Sequence, residues 1–143
     1  MSYALTWAQL AEMKASGLVD VQSHTFWHPN FNIERRRLAP DAYARFVDYQ
    51  FTRSKEILEQ RLGGRVDLLA WPFGIYDADL MHRADAAGYA AAFSIERRPV
   101  TRNEKLMALP RYIVIDADRG ARFETLLAGP LQTSANGDSP SGR

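Results

Sequence analysis

The chain has no cysteine, which rules out disulfides and any thiolate metal site. A metal, if held, must be held by nitrogen or oxygen ligands. Charge of one sign is also missing. Eighteen Lys and Arg against seventeen Asp and Glu leave a net charge of +1, too small a field to bind nucleic acid by general attraction. No apolar run is long enough to span a membrane. The start, Met1-Ser2-Tyr3-Ala4, has neither the basic opening nor the apolar run of a signal peptide, so the compartment stays unknown. Histidine is scarce, with three in 143 residues. That length suits one domain with a real core.

Two of the three histidines stand four positions apart in Ser23-His24-Thr25-Phe26-Trp27-His28-Pro29. A strand-like run, Leu18-Val19-Asp20-Val21-Gln22, leads into them. Pro29 biases His28 away from helical geometry, so the stretch reads as a strand ending in a tight loop with both imidazoles turned toward one point. Neutral imidazole is the commonest protein metal ligand. A divalent metal, zinc first, is therefore expected on His24 and His28, with Ser23 and Thr25 fixing the loop or orienting a ring. The competing reading is two unrelated histidines. Trp27 beside them would offer an aromatic face to a ligand or be buried as core.

Taken in order, Thr6 to Gln9 forms a capping box, and Gly17 stops the helix it opens. A strand covers 18–23. Asn30 to Leu38 reads as loop, with Arg35-Arg36-Arg37 on a solvated face. Pro40 opens a helix whose Tyr43, Phe46, Val47, Ile57, Leu58 and Leu62 carry helical spacing to Gly63-Gly64. Val66 to Trp71 is nearly all apolar, as in a strand covered on both faces. Pro72 to Tyr76 is a turn, and Asp77 caps a helix over 78–87 that carries His82 on its surface. A third strand runs from Tyr89 to Ile95, then a polar loop from Glu96 to Ala108. Residues 111–115 form a fourth strand, Asp116 or Asp118 caps a last helix to about Ala128, and Gly129-Pro130 stops it. Residues 131–143 read as a disordered polar tail after a domain over 1–130. Strands alternating with helices imply parallel pairing and an α/β class. Both the histidine loop and the Pro72–Tyr76 turn follow strands directly, which places them on one rim.

Three stretches together resemble the polysaccharide deacetylases of carbohydrate esterase family 4: Ser-His-Thr-x-x-His-Pro at 23–29, Trp-Pro-Phe-Gly at 71–74, and Leu-Pro-Arg-Tyr at 109–112. The second is similar to the loop of the branch acting on poly-N-acetylglucosamine-type polymers. The Thr-Trp-x-x-Leu-x-x-Met opening also matches, so the resemblance covers about residues 3–128. It implies a partial (β/α) barrel with its loops lining a substrate groove. It implies metal-assisted removal of N-acetyl groups from an amino-sugar polysaccharide or oligosaccharide, with His24 and His28 as metal ligands. The backbone N–H of Phe73 becomes the oxyanion donor, and Trp27, Trp71 and Tyr76 become substrate contacts. Core packing is the other reading for the Trp71 and Phe73 side chains.

The family's Thr-Phe-Asp-Asp motif has no counterpart, and no two aspartates are adjacent anywhere in the chain. The resemblance assigns the third metal ligand and the general base to that pair. The family's late histidine, its general acid, is missing as well. Leu69 stands where the family has an arginine; Arg111 either supplies a guanidinium instead or makes a structural salt bridge. The chain thus resembles the C-terminal part of a deacetylase domain, with the N-terminal strands absent. As such it is expected to be inactive alone, and to self-associate through an open sheet edge or require the missing half. The alternatives are a non-catalytic carbohydrate- or metal-binding remnant and an unrelated structural α/β domain. The family is often extracytoplasmic.

Overall fold

The protein's structure, a computed structural model, describes residues 4–132. Helix α1 (Trp7–Ala15) opens with the expected capping box: the Thr6 side chain accepts from the Gln9 N–H while the Gln9 side chain accepts from the Thr6 N–H. Two helices follow the histidine loop, α2 (Phe31–Arg37) and α3 (Pro40–Leu62). Strand β1 (Leu68–Ala70) leads through a 3-10 turn at Pro72–Gly74 into α4 (Ala78–Ala86). Strand β2 (Ala91–Phe93), a second 3-10 turn at Leu106–Ala108 and α5 (Ala121–Gln132) complete the order.

β1 and β2 pair in parallel, Leu68 with Ala91 and Ala70 with Phe93. Ser23 bridges in parallel to Leu69 on one side, and Leu109 to Phe93 on the other. Four parallel ranks therefore lie side by side; parallel pairing is what the alternation of strand and helix predicts, but the fourth rank is Leu109 and not the expected strand 111–115. Their pairing is shorter than expected. The run 18–23 contributes only Ser23, and in place of further backbone pairing the Gln22 side-chain oxygen accepts the Asp67 and Leu68 N–H groups.

Helix α3 covers one side of these ranks. Tyr43, Val47 and Phe51 recur every fourth residue and are buried with Leu69, Trp71, Tyr89 and Ala92. Leu80 and Ala84 of α4 join the same core. Asp77 caps α4 by accepting from the Leu80 N–H at 2.9 Å.

Three expectations are corrected. Residues 31–37 form a helix, not a loop: Asn30 accepts from the Ile33 N–H at 3.2 Å, Phe31 is fully buried, and the three arginines occupy the last turn, where positive charge suits the helix dipole. Residues 111–115 are not a strand. The Ile113 carbonyl accepts from Arg97 and the Ile115 N–H donates to Asp118, so side chains take the groups a ladder would use. Gly129-Pro130 does not stop α5, which runs to Gln132; proline within a helix costs a hydrogen bond but does not end this one. Leu131 and Gln132 of the expected tail thus lie in α5, and the rest of it, residues 133–143, lies outside the described residues. No helix among the described residues is long and apolar enough to cross a membrane.

Candidate active site

The histidine loop begins where the chain leaves the sheet at Ser23. Thr25 and His28 adopt left-handed backbone, with φ of 68° and 59°, a conformation rare for residues with a Cβ. Local hydrogen bonds hold them there. The Ser23 hydroxyl accepts from the Thr25 N–H at 3.2 Å, and the Thr25 hydroxyl accepts from the His28 N–H at 3.1 Å. The result brings the two imidazoles together, centroids 4.6 Å apart and planes at 65°. The bundling expected from spacing alone is present.

His24 Nδ1 lies 2.7 Å from the Ala70 carbonyl oxygen. A carbonyl only accepts, so Nδ1 carries the proton and Nε2 keeps its lone pair. This is the arrangement by which a second-nitrogen bond orients a metal-ligating histidine. Burial of the ring is the main reason the His24 pKa falls below its ordinary value; the bond to Ala70 opposes this, and positive charge on His28 and Arg111 adds to it. The neutral form, the one that binds metal, is favoured.

Phe73 meets this pair from the second loop. Its φ is 55°, and its ring lies edge-on to His28 with centroids 4.4 Å apart. Gly74 and Ile75 N–H groups bond back to the Trp71 and Pro72 carbonyls, each at 3.0 Å, which fixes the turn. Gly74 follows at φ 66° and touches Ile95 so closely that a Cβ would lie 2.4 Å from its Cγ1.

Arg111 reaches the same place. It lines a groove of about 410 Å³ with Gln22, His24, Ala70 and Phe93. Its Nε donates to the Ser94 carbonyl at 3.0 Å, and it makes no ion pair among the described residues. Trp27 is 60 % exposed, with its ring against Phe46, open to a ligand. Trp71 is not: it is fully buried and its indole N–H donates to the Met107 carbonyl at 2.9 Å. The substrate-contact expectation for Trp71 is corrected to core packing. Tyr76 stacks on Trp71, donates its hydroxyl to Glu96 at 2.7 Å and is partly exposed. His82 is exposed on α4, as expected.

Among the described residues, no three His, Cys, Asp or Glu side chains come together as a metal set. Asp77 is committed to capping α4 and to Arg35, and Asp20 to the Gln22 amide. The imidazole pair fits a divalent cation in donor type and tautomer but is one ligand short of the usual three. Sequence reasoning missed what holds the loop from behind: Gln50 and Ser54 of α3, and Tyr89. The available signal was polarity at two positions, Gln50 and Ser54, that continue the buried face of α3 after Tyr43 and Val47.

Parallel ranks deliver an imidazole pair and a left-handed aromatic turn to one rim of an α/β protein. Residues 2–92 match the family model described as polysaccharide deacetylase, and the chain belongs to that family. The poly-beta-1,6-N-acetyl-D-glucosamine N-deacetylase of Staphylococcus aureus is 24% identical over 108 residues, which are 76% of this chain and 37% of that protein. Among solved structures, a Streptococcus pyogenes deacetylase in complex with acetate aligns with a TM-score of 0.73 at 23% identity, over 87% of this chain and 52% of that one. The deacetylase domain of BpsB from Bordetella bronchiseptica aligns with a TM-score of 0.68 at 23% identity, over 78% and 50%. The structural likenesses establish the fold. The chain spans little more than a third of the curated relative and about half of these solved domains.

Proposed function

We propose that this chain forms the histidine-bearing part of a metal-dependent polysaccharide N-deacetylase, its four parallel ranks being part of a (β/α) barrel. The observation that carries the reading is the tautomer of His24: with Nδ1 bound to Ala70 at 2.7 Å, Nε2 is left free beside His28. Nε2 of His24 and a ring nitrogen of His28 would hold a divalent cation, zinc by its preference for imidazole. Such a cation supplies polarisation of a carbonyl and activation of water near neutral pH.

The chain's own residues supply positioning. The Phe73 N–H would donate to the oxyanion formed when the acetamide carbonyl is attacked, and left-handed backbone at Phe73 and Gly74 presets that direction. Trp27 would offer an aromatic face to a sugar ring of the N-acetylated polymer. Arg111 places a positive charge in the groove beside His24. The third ligand and the general base would come from a segment outside the described residues.

The second reading, a non-catalytic carbohydrate- or metal-binding remnant, is favoured by the missing third ligand among the described residues. The two separate in one experiment. Acetate release from N-acetylglucosamine oligomers is measured with the 143-residue chain, alone and mixed with a polypeptide carrying the family's Asp-Asp motif. The deacetylase reading expects little release alone, since positioned acid–base groups contribute about 10²–10⁴-fold, and metal-dependent release on mixing. No release on mixing, with zinc still bound at His24 and His28, would leave the remnant.

A further inference from the structure

We infer that Gln50 and Tyr89 are positioning residues: from α3 and the start of the β2 segment they hold the histidine loop in its ligand-ready form before any cation arrives. The inference rests on the proposed metal site and adds what orders it.

Gln50 is 1% exposed and grips the loop twice. Its side-chain oxygen accepts from the Trp27 N–H at 3.2 Å, and its backbone carbonyl accepts from the Phe26 N–H at 3.2 Å. These two amides lie between the histidines, so the span from His24 to His28 is pinned to one helix residue. Neither bond belongs to a repeating ladder.

Beneath the loop runs a buried chain of hydroxyls. Ser23 Oγ lies 2.8 Å from Ser54 Oγ and 2.9 Å from Tyr89 Oη, and Tyr89 Oη lies 3.0 Å from the Phe51 carbonyl oxygen. Proton counting gives the direction if all contacts are made. The carbonyl only accepts, so Tyr89 gives it its one proton. Ser23 then donates to Tyr89, and Ser54 donates to Ser23. This leaves Ser23 Oγ accepting from Ser54 and from the Thr25 N–H. The hydroxyl that fixes Thr25 is thereby oriented by Tyr89, and Thr25 in turn accepts from the His28 N–H. Two independent routes, one through Gln50 and one through Tyr89, converge on the backbone between the two imidazoles.

The test uses the full 143-residue chain. Amide hydrogen exchange at Thr25, Phe26, Trp27 and His28 is measured by NMR in the metal-free protein, and zinc affinity is measured by calorimetry. Gln50→Leu is expected to speed exchange at Trp27 at least tenfold, with the helical circular dichroism unchanged. It should weaken zinc about tenfold, the lower end for loss of a group that orients ligands. Gln50→Glu keeps an acceptor of the same length and should restore Trp27 protection. Tyr89→Phe should speed exchange at Thr25 and His28 while leaving Trp27 protected. Unchanged loop exchange in both Gln50→Leu and Tyr89→Phe would overturn the inference. So would loop exchange that changes only together with every other amide, which marks general destabilisation. If wild type binds no zinc at His24 and His28, the metal reading falls, and the exchange data still decide whether these residues order the loop.

Discussion

The His28 imidazole stands edge-on to the Phe73 ring, centroids 4.4 Å apart, and both residues hold left-handed backbone, with φ of 59° and 55°. They come from different loops on the same rim. Backbone of this kind costs on the order of 1–3 kcal/mol per residue and persists only where the surroundings determine it. Here the Thr25 hydroxyl fixes one and the Pro72–Gly74 turn the other. Strain thus collects where the proposed chemistry needs a fixed imidazole and a fixed N–H.

The histidines themselves give the first prediction. His24→Ala and His28→Ala should each abolish specific zinc binding by the chain, because the described residues offer no other clustered ligand set. Calorimetric titration with zinc checks it. Equal uptake by wild type and the double variant would sink the assignment.

Gly74→Ala should destabilise the fold by at least about 1–2 kcal/mol, the cost of placing a Cβ on left-handed backbone. The added Cβ would also collide with Ile95, at 2.4 Å from Cγ1 and 2.9 Å from Cδ1. Ile95 is β-branched and stiff at its first side-chain torsion, so the collision should add to the backbone term. Urea unfolding measures it; an unchanged midpoint would mean that the turn relaxes freely.

Trp71→Ala should cost about 3–5 kcal/mol, as expected for emptying a large buried site. Trp71 is fully buried and packs on Phe51 and Tyr76. Thermal melting is the measurement. A mild effect on melting with a large effect on sugar binding would instead mark Trp71 as a ligand contact.

Asp118 ties the segment after Arg111 to the loop after β2. The Arg97 guanidinium at 2.7 Å, and then the Ile115 N–H at 3.0 Å, hold its carboxyl below the ordinary carboxylate value. A depressed folded pKa stabilises above the unfolded value and is lost as pH falls through the folded one. Wild type should therefore melt above Asp118→Asn at neutral pH, and the gap should begin to shrink near pH 4, about the unfolded value, and close as pH falls through the lower folded one. A gap of constant size from pH 7 to pH 3 would contradict this.

Local signals were legible because they act within one turn of chain. Thr6 with Gln9, Asp77 with Leu80 and Pro40 at the head of α3 each place a donor or acceptor a few residues from its partner. The Asn30 cap of α2 is of the same kind and was readable in principle; the run of arginines made the segment look like loop. The candidate site was legible to the same depth. His24 and His28 announce themselves by spacing and by the proline after them, and the Phe73 turn by its flanking Pro72 and Gly74.

The sequence by itself thus determined the starts of α1, α3 and α4, the α/β class and the two loops that carry the candidate site. Tertiary structure decided which backbone groups find partners. Gln22 gives its side chain to the N–H groups of Asp67 and Leu68, so the first strand shrinks to one paired residue. Arg97 and Asp118 claim the polar groups of 113–115, so a β-branched run never becomes a strand. It also decided that Trp71 points into the core, and that Gln50 and Tyr89 reach the histidine loop from positions far along the chain. Hydrogen-bond satisfaction is a property of the whole molecule: a side chain that outcompetes a ladder is distant in sequence and adjacent only after folding.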